Sequence, residues 1–208
     1  VYLLDAPIAA AMGAGLRLSG PSGQLVVDIG AGKTDIALLA MEGTDAARSL
    51  PGHGGNRLAR QIGEHVQAEH GVTLDRVTVE EVLTSLARVG HHEERTLEVV
   101  GRNPGGEQDI TLTSTELSPM LDAHVRPIVE AVQQVLDEAP LQLQADAHAA
   151  GALLAGGGAQ LEGLDIALSA SCGLSVRRDS DPVMAVVKGT GNALDNLDVL
   201  KRNFMYIR

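Results

Sequence analysis

The chain has 208 residues, which suits one large domain or two small ones at roughly 150 residues each and is enough to bury a core without disulfide or metal staples. Its 16 Lys and Arg against 27 Asp and Glu leave a net charge of −11 and a pI near 5.0, which counts against nucleic acid as the main partner. The only aromatic residues, Tyr2, Phe204 and Tyr206, lie at the two ends, so residues 3 to 203 hold no aromatic cage or base-stacking platform.

Taken in chain order, the elements form a mixed α/β pattern. Val1-Tyr2-Leu3-Leu4 reads as an apolar strand with no initiator Met and no lead-in, so the chain is expected to be a fragment. Pro7, at a favoured first-turn position, opens a short helix through Met12. Gly13, Gly15, Gly20, Pro21 and Gly23 punctuate a loop before the strand Leu25–Ile29, the turn 30–33 and the strand Ile36–Ala40. Leu58, Ile62 and Val66 fall at helical spacing across 57–70. Thr78 with Glu81 fits a capping box for a helix presenting Val82, Leu83, Leu86 and Val89. Thr96–Val100 and Ile110–Thr113 flank Gly105-Gly106 as a hairpin. Thr113 with Glu116 then starts a long helix to about Glu138, kinked at Pro127. Ala152–Ala155 reads as a buried strand, Leu161–Cys172 as a helix, Leu174–Arg177 as the last strand and Pro182–Leu194 as the last helix. The single cysteine, Cys172, permits no internal disulfide and suits a reducing compartment. No uncharged apolar run reaches the length of a membrane span.

Asp28-Ile29-Gly30-Ala31-Gly32-Lys33-Thr34-Asp35 is the most informative segment. A glycine-rich turn between two strands exposes backbone N–H groups with few side chains in the way. In such a nest each N–H donated to a phosphate oxygen contributes about 1.5–3 kcal/mol. Asp28 could hold the hydration shell of a magnesium ion, because hard cations prefer carboxylate and water oxygens. Lys33 adds positive charge and Thr34 a hydroxyl; an ordinary hairpin turn is the competing reading. Gly32-Lys33-Thr34 mimics the end of a P-loop, but the first glycine of that motif would fall at Val27, inside a strand, and a strand rather than a helix follows.

Gly156-Gly157-Gly158-Ala159-Gln160 lies between a buried strand and a helix. Bare backbone there lets a flat ring or a phosphate approach closely, and a helix N-terminus favours anions. A tight strand-to-helix turn explains this run as well; two such turns in one short chain carry more weight together. Glu80 could hydrogen-bond a ribose, against the simpler reading of a solvated first-turn carboxylate favoured by the helix dipole. His91-His92-Glu93-Glu94 has ligand residue types at adjacent positions that do not converge on one ion. Spacing alone brings none of His53, His65 and His148 to a nucleophile, and Cys172 reads as a small packing residue.

Four segments in a fixed order carry a resemblance. They are Asp5-Ala6-Pro7-Ile8-Ala9-Ala10-Ala11-Met12-Gly13-Ala14-Gly15-Leu16, then Val27 through Asp35, then Gly156-Gly157-Gly158, then Asp181-Pro182 with the glycine-bearing helix after it. They are similar to the first connecting helix, second phosphate loop, adenosine loop and second connecting helix of the actin/Hsp70/sugar-kinase superfamily. Val99-Val100-Gly101-Arg102-Asn103 and Gly54-Gly55-Asn56-Arg57 bring the chain nearer to the MreB family of bacterial cell-shape actins than to Hsp70.

The resemblance implies an α/β, actin-like ATPase domain of the ribonuclease H-like kind, with an inserted smaller α+β subdomain and the N-terminal lobe largely missing. Residues 1–18 and 183–208 would be remnants of the first lobe, 19–55 and 143–182 the nucleotide-binding core of the second, and 56–142 the inserted outer subdomain. The implied ligand is ATP or ADP with Mg2+. Its phosphates and ion would face Asp28, Gly30, Ala31, Gly32, Lys33, Thr34 and Asp35, with Asp28 reaching the metal through water. Its adenosine would face Glu80, Gly156, Gly157, Gly158 and Ala159. Implied partners are other protomers of a filament and membrane-associated cell-shape or division proteins, in the cytoplasm at the inner face of the cell membrane.

Departures from the family pattern bear on chemistry. The N-terminal Asp-x-Gly-Thr phosphate loop is not among these residues, Ala6 stands where an acidic residue would position the attacking water, Lys33 replaces a threonine, and Leu83 replaces a lysine three residues after Glu80. Phosphoryl transfer needs water, metal and γ-phosphate positioned together, so weak or impaired ATP hydrolysis is expected. The alternative is a degenerate actin-like scaffold that binds partners with little or no hydrolysis. An Hsp70-like or sugar-kinase activity would need substrate-contacting residues that this chain does not display.

Overall fold

The computed structural model describes residues 3–16, 18, 22–40, 43–90 and 93–195. The expected first strand begins outside them, and Leu3 and Leu4 adopt no regular structure. The three aromatics, Gly20, Pro21, the His91-His92 pair and residues 196–208 also lie outside.

Helix α1 (Ala6–Gly13) carries Pro7 in its first turn and leads to the antiparallel strands β1 (Gln24–Ile29), β2 (Lys33–Ala40) and β3 (Gly43–Pro51). Helices α2 (Gly55–His70) and α3 (Arg76–Ser85) precede the hairpin β4 (Thr96–Asn103) and β5 (Gly106–Thr113). The long α4 (Ser114–Glu138) and the short α5 (Leu141–Ala150) follow. Strand β6 (Ala152–Ala155), the 3₁₀ turn Gly157–Gln160, α6 (Leu164–Cys172), β7 (Val176–Arg178) and α7 (Ala185–Asp195) complete the order.

One sheet has the order β3-β2-β1-β6-β7, antiparallel among the first three strands and parallel from β1 through β6 to β7. The alternation along β1 sends Val26 to one face and Leu25, Val27 and Ile29 to the other. On the first face Val26, Ala37, Leu39, Leu153 and Ala155 pack under Ile8, Ala10 and Ala11 of α1 and Ala185 of α7. On the second, Leu25, Val27, Ile29, Ile36, Leu38 and Leu154 meet α4, α5 and α6. Burial on both faces is why β1, β2 and β6 read as near-continuous apolar runs. Helices α1 and α7 cross closely because Gly13 and Gly189 bring backbone against backbone: a Cβ at Gly13 would collide with the Ala185 carbonyl, and one at Gly189 with that of Ala9.

A second core joins Leu58, Ile62 and Val66 of α2, Val79 and Val82 of α3, Val99, Ile110 and Leu112 of the hairpin, and Leu117 and Leu121 of α4. Helix α4 therefore serves both cores, leaving the second after Leu121 and entering the sheet core at Val125. It runs through Pro119 and Pro127 without ending, and its start is capped by the Thr113 hydroxyl, which accepts from Glu116 N at 3.1 Å.

Local expectations need correction, and Leu86 and Val89, expected on α3, lie beyond its end at Ser85. The cap of α3 is Asp75, whose carboxylate accepts from Thr78 N at 2.8 Å, so the helix starts earlier than a Thr78–Glu81 box would place it. Strand β3 and helix α5 have no counterpart in the sequence reading. Each buries a single residue, Ala46 and Ala147 respectively, and so shows no apolar period.

Candidate functional site

The turn between β1 and β2 is held from one side. Gly55 N donates to Gly30 O at 3.0 Å, Asn56 N to Ala31 O at 2.8 Å and Gly52 N to Gly32 O at 2.8 Å. The start of α2 can lie this close because Gly54 has no Cβ; one there would strike the carbonyls of Gly30 and Ala31. Three carbonyls are thus engaged toward α2, whereas no acceptor among the described residues faces the N–H groups of Ala31 and Gly32. That is the polarity an anion nest requires.

The second glycine run lies beside the first. Gly156 has φ 79° and ψ 167°, a conformation nearly confined to glycine, and packs on Ile29 O and Asp28 Oδ1. A Cβ at Gly158 would strike the Ile29 side chain. Gly157 and Gly158 open the 3₁₀ turn, so their N–H groups have no donor role inside it. Between the two runs and the helices α2, α3 and α4 is a cleft of about 680 Å³, lined by Gly30, Ala31, Gly157, Gly158 and Glu80 among others. Because Asp75 caps α3, Glu80 falls in the second turn, facing the cleft, and not in the first turn as a dipole-stabilising carboxylate.

The other expected residues do not line the cleft itself. Thr34 is fully buried and its hydroxyl donates to His53 O at 2.7 Å, so it braces the strand and is not presented to a ligand. Ala159 is buried in the sheet core and is likewise a packing residue. Gly32 borders open space, and Gly156 supports the turn from behind. Asp28, Lys33 and Asp35 belong to the opposite sheet face, the one that α1 and α7 cover: Asp28 sits directly across from Asp35, with the register Val26↔Ala37 beside them. Burial, followed by the Asp35 charge, raises the Asp28 pKa above the usual carboxylate value, and Lys33 partly offsets this. The Lys33 amine is itself raised, chiefly by its hydrogen bond to Asp35.

No group of three or more His, Cys, Asp or Glu among the described residues is placed to hold a metal ion directly. Asp28 offers one carboxylate, so a cation here would be held mostly by water and by oxygens of a bound ligand.

Sequence reasoning missed several cleft residues. Arg76 and Asn56 line it, Arg76 one helical turn before Glu80 on the same face of α3; that i, i+4 spacing was the available signal. His124 lines it too, from the point where α4 passes between cores, and nothing in the local sequence distinguishes it.

The family described as MreB/Mbl protein matches residues 1–202. The chain is 35% identical over 205 residues to the cell shape-determining protein Mbl of Bacillus subtilis (strain 168) and 35% identical over 202 residues to the cell shape-determining protein MreB of Escherichia coli (strain K12). These alignments cover 97% and 96% of the chain but 61% and 58% of the relatives, so it spans about three fifths of their length. Among solved structures, MreB5 of Spiroplasma citri bound to ADP superposes with a TM-score of 0.88 at 26% identity, covering 96% of this chain and 61% of that one. The same protein bound to AMPPNP gives 0.87 at 26% identity, covering 97% and 61%. The MamK double helical filament, at 19% identity and a TM-score of 0.79 over 92% of this chain and 58% of that one, shares the actin-like fold.

Proposed function

The chain belongs to the MreB/Mbl family, and on that premise we propose that it is the second lobe of a cell-shape cytoskeletal protein that binds ATP or ADP with Mg2+ and assembles into filaments. One observation carries the reading: both glycine runs and Glu80, distant in sequence, line a single cleft. The MreB5 structures bound to ADP and AMPPNP support a nucleotide as its occupant. On this reading the free amides of Ala31 and Gly32 take phosphate oxygens, Gly157 and Gly158 give the adenosine a wall without side chains, and Glu80 accepts from a ribose hydroxyl. Residues 19–55 and 143–182 form the nucleotide-binding core, 56–142 the outer subdomain, and 1–18 with 183–208 the connection to a first lobe. Magnesium, when bound, would neutralise phosphate charge, and Asp28 is the carboxylate that would hold its water shell.

Filament formation follows as a population shift, the nucleotide favouring the conformation that assembles. The partners are then further copies of the same protein, together with membrane-associated cell-shape or division proteins at the inner face of the cell membrane. No described helix is long and apolar enough to cross a membrane. The test uses the full-length protein that carries this chain: fluorescent ADP should bind and be displaced by ATP, and sedimentation should show nucleotide-dependent assembly. Binding without any assembly would refute the filament role, and no binding would refute the nucleotide reading.

Ala6 favours a second reading, a scaffold with little or no hydrolysis. The residue ahead of Pro7 at the start of α1 has no carboxylate with which to orient water. ATP turnover that falls in an Asp28→Ala variant would eliminate that alternative.

A further inference from the structure

Asp28 and Asp35 face each other directly across β1 and β2. Each is only 8% exposed. Side chains in such a pair stand about 5 Å apart, and two like charges there repel. A cation beside the pair relieves that repulsion. Lys33 provides one: it lies two residues before Asp35 on the same strand face, and its Nζ is 2.6 Å from Asp35 Oδ2. Ser49 Oγ donates to Asp35 Oδ1 at 2.6 Å, so both oxygens of Asp35 are occupied. The ammonium also acts electrostatically on Asp28 and on Asp5 at the start of α1. Its side chain is 58% exposed, so it reaches this place without being stripped of water.

We infer that Lys33 is a resident counter-ion for the Asp28–Asp35 pair, doing from within the chain part of what a divalent cation would do there, so that nucleotide binding depends only weakly on magnesium. The second half of the inference rests on the nucleotide reading; the first half does not. An ammonium is a compact point charge with three donors, able to offset carboxylate charge without coordination geometry.

Two measurements on the full-length protein test this. The first needs no nucleotide. Thermal melts of wild type and Lys33→Met are compared with and without magnesium chloride. Wild type should melt at the same temperature in both, whereas Lys33→Met should melt lower and be restored by magnesium. Lys33→Arg, which keeps the charge, should behave as wild type. A wild-type melt that rises with magnesium as much as that of Lys33→Met overturns the counter-ion role. The second measures fluorescent ADP affinity in magnesium and in EDTA. Wild type should change by less than about threefold, and Lys33→Met should lose about tenfold or more in EDTA and regain it in magnesium, since one charge a few ångströms away at an effective dielectric of about 20 is worth that factor. Equal magnesium dependence in both proteins overturns the inference. If ADP binds neither protein in either buffer while the melts come out as expected, the nucleotide reading fails and the counter-ion role stands.

Discussion

His53 and His124 stack ring on ring, their centroids 4.4 Å apart and their planes 19° from parallel. His53 Nε2 donates to the His124 carbonyl at 2.6 Å, and His124 Nδ1 donates to Gln61 Oε1 at 3.0 Å. The contact joins the segment between β3 and α2 to α4 at the point where that helix changes cores. Both rings are buried, and burial first, then His53 and Arg57, hold His124 down to about 4. The unfolded chain takes up this proton near pH 6.5 and the folded chain only near 4, so stability falls as pH drops through that window. The loss saturates at about 3 kcal/mol. Denaturant unfolding between pH 7 and 4 should show wild type losing that much more than His124→Gln. Parallel pH profiles would remove the assignment.

The glycine run separates fold from ligand. Gly156→Ala should cost about 1–3 kcal/mol from backbone strain alone, with a further clash against Ile29 O. Gly157→Ala meets no atom of the described residues within 4 Å and should leave the melting temperature nearly unchanged. Because Gly157 lines the cleft, its alanine variant should still weaken ADP binding, by about tenfold. Unchanged affinity would place the nucleotide elsewhere.

The crossing of α1 and α7 should tolerate no side chain at its centre. Gly13→Ala and Gly189→Ala each push a methyl group into a backbone carbonyl, which a core cannot relieve by changing rotamers. Each should cost about 1–3 kcal/mol or more, whereas Gly191→Ala on α7, which meets no atom of the described residues within 4 Å, should stabilise slightly. Calorimetry of the three variants decides this.

Arg88 and Glu162 form an asymmetric clamp between the segment after α3 and the turn before α6. The guanidinium side chain is 7% exposed and the carboxylate 60%, with contacts of 2.7 and 2.6 Å. Val89 N also donates to Glu162 O at 2.9 Å. Removing Glu162 strands a buried charge whose Nε already has no partner among the described residues, so Glu162→Ala should cost about 2–4 kcal/mol. Arg88→Met leaves a carboxylate that water can reach and should cost clearly less. The reverse order in urea unfolding would show that packing of the Arg88 stem, not its charge, matters.

Much of the architecture was legible because the central strands are buried on both faces. Leu25-Val26-Val27 and Leu153-Leu154 are apolar wherever they point, so their runs announce strands. Thr113 and Glu116 announce a helix start for an equally local reason, a hydroxyl that accepts an amide three residues on. Edge strand β3 and helix α5 were illegible, since an element that buries one residue leaves no periodic trace.

The candidate site divides along the same line. The capacity of Gly30-Ala31-Gly32 and Gly156-Gly157-Gly158 to offer bare amides is written in the chain, because it depends only on the lack of Cβ atoms. Their convergence on one cleft, the burial of the Thr34 hydroxyl against His53 and the pairing of Lys33 with Asp35 were decided by tertiary structure alone. Each depends on parallel pairing of β1 with β6 or on strand register, contacts between residues far apart in the chain that no local pattern encodes.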